Sequence, residues 1–359
     1  MKAIAITPRV PDSARLLDVP EPEMNNDQVL VRMVRSGICG TDTEMNSGAF
    51  GEAPPGYEYL ILGHENFGQI ERVGSRASRF KKGAYVVATV RRPCDCLNCA
   101  AGESDMCIKD AFTERGIRRQ HGFLAEYYAE YEDFLIEIPA HLREVGILLE
   151  PYSIISKALW QAWKIQERMV WKPQTALVTG AGTIGLLAAL ALRARGLEVV
   201  ICARSKRGTL NSMLAQDMGA TYVSLQDTPL DEIPRVMNNR VDVIFEATGH
   251  GPTALKTLEL VTTNGIVLLN SVTSAAHRVM VDSDAINMRM VLGNMLAVGV
   301  VNANRKYFEM GVTAFETFQE RFPGILERML TRRVALQDFS IDLLQERRGV
   351  KTTIEIHPD

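Results

Sequence analysis

Four side chains of the kinds that bind zinc stand in short segments marked by glycine or proline: Cys39 within Gly37-Ile38-Cys39-Gly40-Thr41-Asp42, His64 and Glu65 within Gly63-His64-Glu65, and Glu150 before Pro151. Thiolate, imidazole and carboxylate are suitable zinc ligands, and a catalytic site needs only three from protein, with one position left for substrate. A second group is denser. Of six cysteines, Cys94, Cys96, Cys99 and Cys107 crowd into one short stretch. The opening Met1-Lys2-Ala3-Ile4-Ala5-Ile6, followed by Thr7-Pro8, reads as a short strand and lacks the apolar region of a signal peptide, so the cytoplasm is the expected compartment. There, such crowding favours a closed tetrahedral metal site over disulfides.

A third constellation suits a nucleotide. Gly180-Ala181-Gly182-Thr183-Ile184-Gly185 follows the apolar Ala176-Leu177-Val178 and opens a helix-like run, Leu186 onward. In that context the glycines supply a tight turn, room for a pyrophosphate and close helix packing, while the helix N-terminus offers amides to the phosphates. The next strand, Glu198-Val199-Val200-Ile201-Cys202, runs into Ala203-Arg204-Ser205-Lys206-Arg207, with no acid to hold a ribose 2′-hydroxyl. A 2′-phosphate would meet Arg204, the Ser205 hydroxyl and Lys206 or Arg207, because a guanidinium fork donates two parallel hydrogen bonds. NADP is the expected cofactor; a missing acid weakens NAD binding without forbidding it.

These groups need two kinds of scaffold. At 359 residues the chain exceeds one ordinary core. Up to about residue 150, short β-branched runs such as Val29-Leu30-Val31 and Tyr85-Val86-Val87 are broken by Gly and Pro, the texture of a β-rich, loop-rich domain. From about Thr175 strands alternate with helical stretches, at 175–179, 198–202, 221–225, 241–247, 265–270 and 295–301, implying a parallel sheet wrapped by helices. The tail has a helical stretch at 307–321 and a strand-like end at 351–356. The fold class is α/β. A net charge of -3 with scattered basic residues lacks the footprint of a nucleic-acid binder, and no run approaches a membrane span.

The order of these pieces, Cys-Gly-Thr-Asp, Gly-His-Glu, the cysteine lobe, His121-Gly122-Phe123 with Glu126, then the glycine motif, resembles the zinc-dependent medium-chain alcohol dehydrogenase superfamily along essentially the whole chain. The resemblance implies a GroES-like catalytic domain, residues 1–155 with 302–359 returning to it, and a Rossmann domain, residues 156–301. Cys39 and His64 match the catalytic zinc ligands, and Glu65 and Glu150 the carboxylates of the sugar and polyol branches, one of which would yield during turnover. Thr41 matches the hydroxyl that relays the substrate proton, and Asp42 the carboxylate that orients the histidine. The cysteine lobe resembles the structural zinc lobe with a shortened first interval, Pro93 standing where the first cysteine is usual.

Within the superfamily, Phe112-Thr113-Glu114-Arg115-Gly116-Ile117, Leu149-Glu150-Pro151-Tyr152 and Val300-Val301-Asn302-Ala303-Asn304 resemble the aldose (glucose) 1-dehydrogenase branch of archaeal type. Burying a sugar hydroxyl without a partner costs about 1–3 kcal/mol, so carboxylates and amides must line the pocket. Glu114, Glu150 and Asn302 are the expected sugar contacts; the alternatives are an ion pair of Glu114 with Arg115 and a turn role for Asn302. The implied reaction is zinc-assisted oxidation of glucose, galactose or xylose at C1, with hydride passing to the nicotinamide. A polyol, threonine or simple alcohol as substrate, or a non-catalytic NADPH-binding protein, are the competing readings. The resemblance also implies a homodimer or homotetramer.

Overall fold

The computed structural model describes residues 1–273, 277–345 and 349–358. They form two compact units: Met1–Ser153 with Asn302–Phe315 and Met329–Asp359, and Ile154–Val301 with Glu316–Arg328. The sequence division sent all of 302–359 back to the first domain, whereas 316–328 packs within the second unit. There Arg321 donates to the Ala194 carbonyl and Arg328 pairs with Asp217 at 2.7 Å. Helical periodicity shows that a face is buried but not what buries it.

The first unit centres on the strand β1 (Gln28–Ile38) of a seven-stranded sheet. Eight of its eleven residues are buried, as expected of a strand covered on both faces. On one face Val29, Val31 and Met33 share a core with Ile70, Phe80, Val86 and Phe123, the period-2 spacing of a strand. β2 (Glu65–Val73) pairs antiparallel with β1 on one side, and the C-terminal strand Lys351–Glu355 on the other. At the end of β1, Gly37 stands opposite Glu65 in one ladder and Thr353 in the other. The chain then turns at Cys39 into the short helix α1 (Gly40–Asn46). A smaller sheet contains β3 (Arg91–Arg92) antiparallel to β4 (Thr113–Arg115).

The second unit carries six parallel strands: β5 (Thr175–Thr179), β6 (Glu198–Ala203), β7 (Thr221–Ser224), β8 (Val243–Glu246), β9 (Ile266–Leu269) and β10 (Leu296–Gly299). Their order is β7-β6-β5-β8-β9-β10, a doubly wound Rossmann sheet whose order reverses beside β5. All six expected strands are present, with ends within two residues of the sequence reading. Helix α2 (Leu149–Gln166) begins with Glu150 in its first turn. Among the described residues no helix is long and apolar enough to cross a membrane.

Candidate active site

Three elements of the first unit converge where β1 ends. Cys39 caps α1, Glu65 begins β2, and His64 precedes it; their Sγ, ring nitrogen and carboxylate oxygen all lie within 4.8 Å of one another. His64 and Glu65 are buried, at 5% and 2% exposure. His64 Nδ1 lies 3.7 Å from Oδ1 of the fully buried Asp42, which leaves Nε2 as the ring nitrogen for a metal. This is the arrangement in which a carboxylate orients a ligating imidazole. Asp42 Oδ2 also accepts the Cys39 backbone N–H at 2.9 Å, so one carboxylate both caps α1 and faces the histidine. Cys39 Sγ is 3.7 Å from Thr41 Oγ1.

Acidic groups dominate the electrostatics around His64. Burial pulls the His64 pKa down, yet the Cys39 thiolate and the Asp42 and Glu150 carboxylates outweigh it and hold the imidazole well above its usual range. Glu150 is buried and lies outside the close triad; burial, with opposing help from His64 and further repulsion from Glu65, raises its carboxyl to about 7. Thiolate, imidazole and carboxylate at this spacing fit a zinc ion with room for substrate.

Sequence reasoning missed Lys351. Its buried ammonium pairs with Glu65 Oε2 and donates to the Ile38 carbonyl at 3.1 Å. The pocket it shares with Glu65 exists because residue 37 is glycine: a Cβ there would stand 1.9 Å from Glu65 Oε2 and 2.8 Å from Lys351 Cε.

The expected sugar residues Glu114 and Asn302 meet directly. Asn302 Nδ2 donates to Glu114 Oε1 at 2.6 Å, although the two are 188 positions apart. Asn302 adopts φ +58°, and its Oδ1 accepts the Ala303 N–H at 2.7 Å, so its turn geometry aims the amide at the carboxylate. Glu114 does not pair with Arg115. Neighbours on a strand face opposite ways: Glu114 pairs with Arg91 at 3.0 Å, and Arg115 with the buried Glu130 at 2.8 Å.

In the cysteine lobe, Cys94 Sγ lies 3.7 Å from Cys99 Sγ and 3.5 Å from Cys107 Sγ, and Cys96 Sγ lies 3.8 Å from Cys107 Sγ. Sulfurs on a tetrahedral zinc at about 2.3 Å stand about 3.8 Å apart, so the four thiols fit one ion despite the shortened first interval. Backbone N–H donors from Ile108 and Cys99 lower the Cys96 thiol to about 6, whereas burial pushes Cys99 up to about 12.

In the second unit, Gly180 leaves β5 at φ +97° and Gly182 caps α3 (Thr183–Ala194), whose first turn holds Thr183, Ile184 and Gly185. Beside Gly182 no atom lies within 4 Å of where a Cβ would project, while a Cβ on Gly185 would stand 2.0 Å from the Gly180 carbonyl oxygen. One glycine therefore keeps space open and the other permits close packing. Arg204 and Lys206 are exposed just past β6. Between them Ser205 is pinned: its carbonyl accepts the Tyr222 hydroxyl at 2.8 Å and its own hydroxyl lies 2.5 Å from the same oxygen.

Two family models match this chain. Residues 25–140 match the alcohol dehydrogenase GroES-like domain, and residues 143–356 match the glucose dehydrogenase C-terminus. The chain is 46% identical over 358 residues, 99% of both chains, to a glucose 1-dehydrogenase of Methanocella arvoryzae. It is 37% identical over 359 residues, 100% of this chain and 99% of the other, to glucose 1-dehydrogenase 1 of Caldivirga maquilingensis. Among solved structures, the Haloferax mediterranei glucose dehydrogenase in complex with NADP, Zn and gluconolactone superposes with a TM-score of 0.91 at 32% identity, covering 100% of both chains. The chain belongs to the glucose dehydrogenase family of zinc-dependent medium-chain dehydrogenases.

Proposed function

We propose that this protein is an aldose 1-dehydrogenase that oxidises glucose, or an aldose like it, at C1 to the aldonolactone and passes the hydride to NADP. The observation that carries this reading is the cluster of half-buried Cys39 with buried His64 and Glu65, whose donor atoms lie within 4.8 Å of one another in a chain 46% identical to a glucose 1-dehydrogenase. Cys39, His64 and one of the carboxylates Glu65 and Glu150 would hold the catalytic zinc, and Cys94, Cys96, Cys99 and Cys107 a structural one. When bound, a catalytic zinc supplies Lewis acidity, which can lower the pKa of a water from about 15.7 to about 7.

The side chains do the rest. Thr41 takes the proton of the anomeric hydroxyl and passes it outward. Asp42 fixes the orientation of His64. Glu114 accepts from a sugar hydroxyl, Asn302 aligns Glu114 and meets the pyranose beside it, and Glu150 closes the wall. Lys351 balances the charge of Glu65, the carboxylate with which it pairs. The amides at Gly182, Thr183, Ile184 and Gly185 receive the pyrophosphate, and Arg204, Ser205 and Lys206 the 2′-phosphate.

The same reading places the enzyme in the cytoplasm as a homodimer or homotetramer. Supporting self-association, β10 is an edge strand, and the neighbouring helix α4 (Ser283–Leu292) exposes Met288, Val291 and Leu292. Light scattering reads the assembly directly.

The deciding assay follows NADPH absorbance with glucose, galactose, xylose, sorbitol, threonine and ethanol, each with and without a strong chelator. Aldose oxidation abolished by chelation is expected. Turnover of sorbitol, threonine or ethanol in preference to every aldose would overturn the substrate assignment, and NADPH binding without any turnover would overturn the enzyme reading.

A further inference from the structure

The lobe that carries the four clustered cysteines is tied to the candidate sugar carboxylate by one guanidinium. Arg91 and Glu114 are direct partners across β3 and β4. Nε and Nη2 of Arg91 both lie 3.0 Å from Glu114 Oε1. Nη1 turns the other way and donates to the carbonyls of Ser104 at 3.4 Å and Asp105 at 3.2 Å, in the turn that leads to Cys107. The plane is held from one side by the Phe112 ring, 3.7 Å from Cζ. Both partners are nearly enclosed, with side chains 10% and 12% exposed.

A second tie runs in parallel. Asn304 Nδ2 donates to Glu103 Oε2 at 2.7 Å and to Asp105 Oδ1 at 2.8 Å, two positions beyond Asn302. The same turn of the lobe therefore anchors Arg91 and the segment that aims Asn302. The consequence falls on Glu114. Its Oε1 accepts hydrogen bonds from Arg91 Nε and Asn302 Nδ2 and lies 3.0 Å from Arg91 Nη2, while no N–H among the described residues is bonded to Oε2. A carboxylate held this way presents one oxygen, in one direction, to a ligand.

We propose that Arg91 is a positioning residue for sugar recognition, and that the cysteine lobe, through the Ser104 and Asp105 carbonyls, sets the orientation of Glu114. The inference rests on the reading of Glu114 as a sugar contact. A planar fork is required because one cation must reach a carboxylate and two carbonyls on opposite sides; a lysine ammonium is a point charge on a flexible stem and cannot span them.

The test compares Arg91→Met, Arg91→Lys, Cys107→Ser and Glu114→Gln with the unaltered enzyme. It reads glucose KM, kcat, NADP KM, zinc per chain, and the calorimetric Kd for gluconolactone. Arg91→Met is expected to raise glucose KM and lactone Kd about tenfold or more, the scale of a lost hydrogen bond to a charged group. Its kcat should stay within about twofold, with NADP KM and zinc content unchanged. Arg91→Lys should fall between Met and Arg. Cys107→Ser should lose one zinc and shift glucose KM and lactone Kd in the same direction, with NADP KM unmoved.

Unchanged sugar affinity in Arg91→Met overturns the proposal, as does a rise in NADP KM together with zinc loss, which marks general damage. Should Arg91→Met not fold, a folded Arg91→Lys with the normal glucose KM overturns it equally. Loss of one zinc in Cys107→Ser with normal sugar affinity overturns the role of the lobe. Glu114→Gln separates the two readings: if it leaves glucose KM unchanged, the sugar role of Glu114 fails and the brace with it. If it raises glucose KM while Arg91→Met does not, only the brace fails.

Discussion

The buried ammonium of Lys351 pairs with Glu65, a member of the candidate zinc triad, and is held there by a second donation to the Ile38 carbonyl at 3.1 Å. An acceptor that can bind a metal thus has a protein cation waiting for it. Burial lowers the lysine pKa, but the Glu65 carboxylate and the Cys39 thiolate more than reverse this, so Lys351 stays charged.

From that pairing, Lys351→Met should cost most where zinc is missing. Without metal, the substitution leaves Glu65 buried with its cation gone, a loss of about 3–5 kcal/mol. Zinc compensates the same charge, so the zinc-loaded variant should lose much less. Thermal melts of metal-free and loaded forms measure the difference; equal losses in both would show that Lys351 does not serve Glu65.

His64→Ala should remove the catalytic zinc and turnover while leaving NADP binding intact. The triad lies in the first unit and the glycine motif in the second. Elemental analysis should find one zinc per chain in place of two, and fluorescence titration should return the normal Kd for NADPH. Aldose oxidation by a metal-free His64→Ala preparation would refute a metal-dependent reaction.

Arg204→Ala should lower kcat/KM for NADP by roughly tenfold to a hundredfold, the range of a charge-assisted hydrogen bond worth about 1.5–3 kcal/mol. Efficiency with NAD, which lacks the 2′-phosphate, should barely change. Parallel losses with both cofactors would mean that Arg204 supports the loop and not the phosphate.

Acid should weaken the first unit through Glu130. Burial opposes its ionisation, but Arg92 and Arg115 overcome this and hold the carboxyl at about 2, against an ordinary 4.5. A carboxylate depressed in the folded state contributes its full stabilisation above the unfolded pKa, and that contribution is lost as pH falls from about 4.5 through about 2. The loss should amount to about 3 kcal/mol. Urea melts across that window should show the slope in the natural protein and not in Glu130→Gln, which should already be weaker at neutral pH. An identical slope in both would move the acid sensitivity elsewhere.

Local chemistry carried much of this molecule before any fold was known. A glycine motif between an apolar strand and a helix is read in one short segment, because turn, phosphate approach and packing all act on neighbouring residues. The missing acid after β6 was equally local. The α/β class followed from alternating textures, and the Cys39, His64 and Glu65 set from residue type and spacing together with family order. What remained hidden were pairings across the chain. Glu114 has a neighbouring arginine, yet strand alternation sends it to Arg91 and to Asn302, 188 positions away. Lys351 looks like any strand-end lysine until the last strand pairs with β1 and sets its stem beside Gly37, whose missing Cβ leaves the space that Lys351 and Glu65 fill. Such partners are chosen by ladder register and by which faces the sheets bury, quantities that exist only once the tertiary structure has formed.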